Sequence, residues 1–212
     1  MFLTRVLMVI LSRREVRGLE NVPADGPLLL VSNHLSYADQ YFIAVHLKRR
    51  LVFMAKEELF RFRPVRLLVE GFGAFSVRRG GLDRTAMMET HRVLDSGLAL
   101  AVFPEGSRSP DGKLRPGLPG IALIAAHNRV PILPVAVTGM QGLEKMMVWW
   151  AFYRPRVTLT IGKPFYLPET AGRISKEERQ AVADYIMEHI AELLPPEYRG
   201  YYANKGENEA KV

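Results

Sequence analysis

The chain of 212 residues contains no cysteine. That excludes disulfides, thiolate nucleophiles and cysteine-ligated metals at once, and it fits a reducing compartment. No stretch reaches the roughly 18 uninterrupted apolar residues of a spanning helix. "MFLTRVLMVILSRR" comes nearest, but Arg5 breaks it and Arg13-Arg14 stop it. It also lacks the small-residue cleavage site of a signal peptide. No G-x-S-x-G elbow occurs anywhere, which removes the usual serine nucleophile. There is no internal repeat.

What is present is apolar and basic. Hydrophobic residues make up 48%, enough for a sizeable core in one domain. Lys and Arg number 29 against 22 Asp and Glu, a net charge of +7. Such a balance favours nucleic acid, an anionic membrane surface or a phosphorylated substrate. Nucleic acid is disfavoured, because no aromatic residues interleave with a basic stripe. Residues 1–14 read as an interfacial helix with basic flanks, or as a helix docked on the protein's own core. Residues 15–199 then form the main domain, and 200–212 a polar, frayed tail.

Along the main domain strands and helices alternate. Residues 28–31 are a continuous apolar run, as in a strand covered on both faces. Residues 38–47 read as a helix, 51–55 as a strand and 59–69 as helical around Pro64. Residues 73–77 read as a third buried strand, 82–94 as a helix and 98–103 as a fourth strand. A helix over 118–127 and the strand "PILPVAV" follow, and "RVTLTIG" alternates like a half-exposed strand. The last helix opens on Ser175 and Glu178, a capping-box spacing, and carries Val182, Ile186, Ile190 and Leu193 on one stripe. The expected fold is α/β, with a mostly parallel central sheet flanked by helices.

In such sheets ligands collect beyond the carboxyl ends of the strands. Three unusual segments stand there. The first, "SNHLSYAD", sets His34 five residues before Asp39. An imidazole can take a proton from a hydroxyl near neutral pH, and a carboxylate on its other nitrogen orients it. A helix start capped by Ser32 or Asn33, with a surface His34 and Asp39, is the plain alternative. The second is Arg78-Arg79-Gly80-Gly81, where guanidinium groups suit a phosphate. The third, "FPEGSRS", places Arg108 among small residues, with Glu105 able to orient an arginine or a substrate hydroxyl. The segment Met146–Tyr153 is too continuously apolar for a surface loop. It is either a buried core element or a lipid or acyl contact.

These segments together resemble the glycerolipid acyltransferases of the PlsC-like, 1-acylglycerol-3-phosphate acyltransferase type. "NHLSYAD" is similar to the family's N-H-x4-D block. "GAFSVRRGG" is similar to its second block, with Arg79 on the phosphate-binding arginine and Arg78 in place of a common aspartate. "FPEGSRS" is similar to its third block, with Ser107 for threonine. "VPILPVAV" is similar to its fourth, with Pro134 at the characteristic proline. The blocks come in the family's order. Leu118 stands where many members carry lysine, which leaves Lys113 and Arg115 as alternative cations.

The resemblance implies acyl transfer from acyl-CoA or acyl-carrier protein to a lysophospholipid hydroxyl, with 1-acylglycerol-3-phosphate as the default acceptor. His34 and Asp39 are the expected catalytic pair. Arg79, Glu105, Gly106, Ser107 and Arg108 are the expected acceptor site. No metal and no cofactor are expected beyond the acyl donor. The expected location is peripheral, on the cytoplasmic face of an anionic membrane. A catalytically silent lipid-binding module and a thioester hydrolase are the rivals.

Overall fold

The computed structural model describes residues 13–61, 63, 66–67, 71, 73–77, 84–141, 155–168 and 174–203. Seven strands form one sheet: β1 Arg13–Arg17, β2 Leu28–Ser32, β3 Leu51–Lys56, β4 Phe75–Val77, β5 Ala99–Val102, β6 Ile132–Thr138 and β7 Arg156–Ile161. Their spatial order is β1-β7-β6-β2-β5-β3-β4. Every pairing is parallel except β6 with β7. Among the described residues, four continuous α-helices accompany the sheet: α1 Asp39–His46, α2 Arg84–Asp95, α3 Gly120–Asn128 and α4 Lys176–Leu193. The expected α/β class and mostly parallel sheet are therefore found.

The unbroken apolar run of β2 has a direct cause. The strand lies between β5 and β6, and both its faces are covered. Leu29 and Val31 pack with α2, α3 and α4 through Leu94, Ile124, Ile186 and Ile190. Leu28 and Leu30 pack on the opposite face with Phe42 and Ile43 of α1. Each such side chain is worth about 1.5–3 kcal/mol relative to exposure. The sheet centre is thus rigid, and that rigidity fixes the loops leaving its carboxyl edge. β7 alternates as expected: Val157, Leu159 and Ile161 are buried while Thr158 and Thr160 are half-buried.

Helix α4 carries the capping box foreseen for it. Ser175 Oγ accepts the Glu178 N–H at 3.2 Å, and the Ser175 N–H donates to Glu178 Oε2 at 2.7 Å. Ile186 and Ile190 are fully buried, while Val182 and Leu193 pack at the margin of the same cluster.

Several expectations are corrected. The strand expected over 73–77 has three residues and is not buried: Ser76 is exposed and its two neighbours are half-buried. Among the described residues it is the last strand in the order and pairs with β3 alone. The helical stretch expected over 59–69 is preceded by a short 3₁₀ turn over Glu57–Phe60; Arg63, Arg66 and Leu67 are helical, and the rest of 62–70 lies outside the described residues. Helix α3 starts at Gly120, because Pro119 is its N-cap, leaving Leu118 in the preceding loop. Arg13 and Arg14, expected to close the N-terminal helix, open β1; residues 1–12 lie outside the described set. Residues Gly200–Tyr202, expected to belong to a frayed tail, form a 3₁₀ turn, and residues 204–212 lie outside the described set. Tyr202 is buried, accepts the Gly117 N–H at 3.1 Å and donates to Asp184 Oδ1 at 2.7 Å.

Candidate active site

The chain leaves the sheet centre at Ser32, and the next residue is a joint rather than a cap. Asn33 is buried, and its amide donates to the Val137 carbonyl at 2.8 Å while its oxygen accepts the Val137 N–H at 2.7 Å. β6 outruns β2 by three residues, since Ser32 pairs with Val135 and β6 ends at Thr138. The Asn33 amide therefore satisfies backbone groups that β2 is too short to reach. Left unpaired and buried, each would cost about 1–3 kcal/mol. The N-cap of α1 is instead Ala38.

His34 follows, and Asp39 is the first residue of α1. Asp39 is fully buried. Its Oδ2 accepts three N–H groups: His34 Nδ1 at 2.8 Å, Leu35 N at 2.6 Å and Ser36 N at 2.8 Å. One carboxylate oxygen thus shapes the turn and holds the ring. Because a carboxylate only accepts, Nδ1 carries the proton and Nε2 is left as the basic nitrogen. The other ring constraint comes from Phe103, stacked on the imidazole at 4.1 Å between centroids and 17° between planes. The His34 side chain keeps 15% of its surface exposed while that of Asp39 keeps none. This is the asymmetry a base and its orienter need.

The backbone of His34 is clamped from the third loop. Its N–H donates to Glu105 Oε1 at 2.8 Å, and its carbonyl accepts the Ser109 N–H at 2.8 Å. Glu105 Oε2 accepts the Arg115 N–H at 3.0 Å, so one buried carboxylate ties the histidine loop to the segment bearing Arg115. Gly106, at φ +66°, is required between these contacts. A Cβ there would sit 2.4 Å from Leu118 Cδ1 in a left-handed backbone. Ser107 Oγ accepts Arg115 Nη1 at 2.6 Å, and the guanidinium carbon of Arg108 lies 3.7 Å from the centre of the Tyr37 ring.

The structure therefore brings His34, Asp39, Glu105, Gly106, Ser107 and Arg108 to one edge of the sheet. Arg78 and Arg79 lie outside the described residues, as do residues 142–154 with the expected apolar segment. β4, which precedes the two arginines, runs parallel to β3 and so ends at the same edge. Asn33, Phe103, Tyr37 and Arg115 belong to the same cluster. Asn33 and Tyr37 lay inside the first motif, and Phe103 immediately before "PEGSRS"; nothing in one sequence marks which backbone or ring each meets.

Burial raises the Glu105 carboxyl from its ordinary value to about 7; the two backbone N–H donors and the Arg115 charge pull the other way, while Asp39 adds to the rise. The sign follows directly. A carboxyl whose folded pKa lies above its unfolded value binds protons preferentially in the folded state. Its contribution to stability is whole below about 4.5 and is lost as pH rises through about 7. At roughly 1.4 kcal/mol per unit, the loss is on the order of 3 kcal/mol. Glu105→Gln resembles the protonated acid, keeping one acceptor and losing the charge. We expect the variant to match wild type in thermal unfolding at pH 5 and to exceed it at pH 8. Its turnover at pH 8 should fall, because only the carboxylate holds both backbone donors. Parallel melting curves for the two proteins across pH 5–8 would contradict this.

Comparison with known proteins bears on the same segments. The family model described as Acyltransferase matches residues 13–138. The 1-acyl-sn-glycerol-3-phosphate acyltransferase of Pseudomonas aeruginosa is 26% identical over 206 residues, covering 93% of this chain and 76% of that protein. The chloroplastic 1-acyl-sn-glycerol-3-phosphate acyltransferase BAT2 of Brassica napus is 28% identical over 177 residues, 81% of this chain. The chain spans about half the length of that plant protein, the aligned part being 50% of it. Among solved structures, the 1-acyl-sn-glycerophosphate (LPA) acyltransferase PlsC of Thermotoga maritima superposes with a TM-score of 0.67 at 28% identity. The match covers 90% of this chain and 76% of that one.

Proposed function

Because the chain belongs to the acyltransferase family, whose model covers residues 13–138, we propose that it moves a fatty acyl group from a thioester donor to the free hydroxyl of a lysophospholipid. The acceptor we propose is 1-acylglycerol-3-phosphate, with phosphatidic acid as product, and the donor acyl-CoA or acyl-carrier protein. The observation that carries this reading is the buried pairing of Asp39 Oδ2 with His34 Nδ1 at 2.8 Å. It leaves Nε2 as a base at a sheet edge shared with Arg108. The names of the Pseudomonas, Brassica and Thermotoga proteins support the acceptor.

The reaction balances without a protein nucleophile. His34 Nε2 takes the proton of the acceptor hydroxyl as its oxygen bonds to the thioester carbonyl carbon. The tetrahedral intermediate collapses, the C–S bond breaks, and the imidazolium returns the proton to the departing thiolate. Asp39 stabilises the transient imidazolium. Arg79 and Arg108 hold the acceptor's phosphate, with Glu105, Gly106 and Ser107 shaping the loop. The acyl donor is a substrate, and the scheme calls on no cofactor.

An amphiphilic acceptor places the work at a lipid surface. No helix among the described residues is long and apolar enough to cross a membrane. We propose peripheral attachment at the cytoplasmic face. The net charge of +7 suits anionic headgroups.

The test offers labelled acyl-CoA and acyl-carrier protein against a panel of lysophospholipids, with products separated by chromatography. Acceptor-dependent phosphatidic acid is the expected product. Free fatty acid released at the same rate with and without acceptor would make the protein a hydrolase. Acceptor binding without turnover would make it a lipid-binding module.

A further inference from the structure

The segment that follows α4 lies outside residues 13–138, the part matched by the family model, yet it grips the loop behind the third motif. Pro196–Tyr198 and Gly200–Tyr202 are two short 3₁₀ turns. The Leu114 N–H donates to the Tyr198 carbonyl at 2.8 Å, and the Leu114 carbonyl accepts the Tyr201 N–H at 3.0 Å. Three residues on, the Gly117 N–H donates to Tyr202 Oη at 3.1 Å, and the Gly117 carbonyl accepts Gln180 Nε2 at 3.1 Å. Asp184 Oδ1 accepts both Tyr202 Oη, at 2.7 Å, and Gln180 Nε2, at 3.0 Å. Leu114, Gly117 and Tyr202 are all buried. The main chain of Leu114 and Gly117 is thus held at both its N–H and its carbonyl by α4 and the turns after it.

Only Arg115 and Pro116 stand between the two held residues, and both are exposed. The Arg115 N–H donates to Glu105 Oε2 at 3.0 Å, while Glu105 Oε1 accepts the His34 N–H at 2.8 Å. One buried carboxylate therefore links the held loop to the histidine. An exposed loop without such anchors samples many backbone conformations, and the Arg115 N–H would meet Glu105 in only a fraction of them. The approach on the Leu114 side is close. A Cβ on Gly200, whose φ is +48°, would sit 2.4 Å from the Leu114 carbonyl oxygen, so only glycine fits there.

We propose that Tyr202 is a positioning residue for His34: by holding Gly117 against α4 it fixes the direction of the Arg115 N–H, which seats Glu105 on the histidine loop. The importance of that loop for turnover rests on the acyl-transfer reading given above. Tyr202 acts through other residues and takes no part in proton transfer.

The test combines steady-state transfer from acyl-CoA to 1-acylglycerol-3-phosphate with amide hydrogen exchange of the same proteins. Tyr202→Phe keeps the buried ring and removes the hydroxyl that serves Gly117 and Asp184. Its kcat should fall about three- to thirtyfold, short of the roughly 10²-fold that an ångström of misplacement can cost, with the donor KM near wild type. The Arg115 and His34 amides should exchange faster. Gly200→Ala, which displaces the turn from Leu114, should act in the same way. Glu105→Gln breaks the link, because an amide offers one oxygen where the two N–H groups use two. In that background Tyr202→Phe should cost no further kcat. Val93→Ala, in the buried face of α2, is the control for stability: it should lower the melting temperature through a cavity and leave kcat unchanged.

A Tyr202→Phe protein that melts lower but keeps wild-type kcat and wild-type exchange at Arg115 would overturn the proposal, since the hydroxyl would then serve stability alone. A kcat loss that persists at full size in the Glu105→Gln background would overturn it as well, as would an equal loss in Val93→Ala. If wild type transfers no acyl group, the acyl-transfer reading falls by itself. Exchange at Arg115 and His34 then still decides whether Tyr202 sets the loop.

Discussion

His34→Ala should lower kcat by about 10²–10⁴-fold, the contribution typical of a positioned general base, while leaving the fold in place. The second half of that expectation comes from where the histidine is held. Its N–H donates to Glu105 and its carbonyl accepts from Ser109, and alanine keeps both bonds. Asp39 Oδ2 loses the ring but keeps the Leu35 and Ser36 N–H donors at 2.6 and 2.8 Å. The buried carboxylate is therefore not stranded. Loss of the stack on Phe103 removes packing at a partly exposed site, where collapse is easy. Circular dichroism and thermal unfolding should stay close to wild type, so the loss of turnover reports chemistry. Acceptor and donor KM should change far less than kcat, because the ring acts in the transition state and not as an anchor. Added imidazole should restore part of the rate by entering the vacated space. A folded His34→Ala protein that turns over at the wild-type rate would end the proposed mechanism.

The central sheet was open to reading because burial on both faces leaves a plain mark. Residues 28–31 could be assigned as a covered strand without knowing their neighbours. The abrupt polarity after Val31 then located the site edge. The pairing of His34 with Asp39 was legible for a local reason: five residues and one helix start bring the two side chains together. Contacts between distant segments were not. Asn33 looked like a helix cap, since asparagine commonly plays that part, but its partner is the backbone of Val137, 104 residues on. Glu105 was read as able to orient an arginine or a substrate hydroxyl, yet its partners are the main-chain N–H groups of His34 and Arg115. Main-chain donors carry no residue identity, so no pattern could reveal them. The strand expected over 73–77 shows the same limit. Its composition reads as buried, but edge or centre is decided by the order of strands. The tail was read as frayed from residue 200 by its polarity, while Tyr202 is held through Gly117 and Asp184.

Asp39→Asn should cost nearly as much activity as removing the histidine, by roughly 10²–10⁴-fold in kcat, and the hydrogen-bond pattern explains how. Oδ2 of Asp39 accepts three N–H groups, whereas Oδ1 is buried with no hydrogen-bond partner among the described residues. An asparagine can enter in two ways. With its oxygen at the Oδ2 position it keeps all three donors, and the imidazole keeps its proton on Nδ1. The amide NH₂ then fills the place of Oδ1, where it finds no acceptor, at a cost of about 1–3 kcal/mol in stability. The negative charge is also gone, so the imidazolium formed during proton transfer loses its counter-ion. In the other orientation the NH₂ faces the Leu35 and Ser36 N–H groups, donor against donor, and the loop must open. His34 Nδ1 would then have to accept, which moves the ring proton to Nε2 and blocks the base. Both routes destroy catalysis, but they differ in the histidine tautomer, which nitrogen-15 shifts of the His34 ring report. We expect the first orientation, because it preserves three bonds where the second keeps one, and therefore an Nδ1-protonated ring in a folded and nearly inactive enzyme. Asp39→Ala should differ from it by losing the loop as well, since it strips every one of those acceptor contacts. If folded Asp39→Asn retained wild-type kcat, the His34–Asp39 pair would be a structural contact of the loop and not the base that drives the reaction.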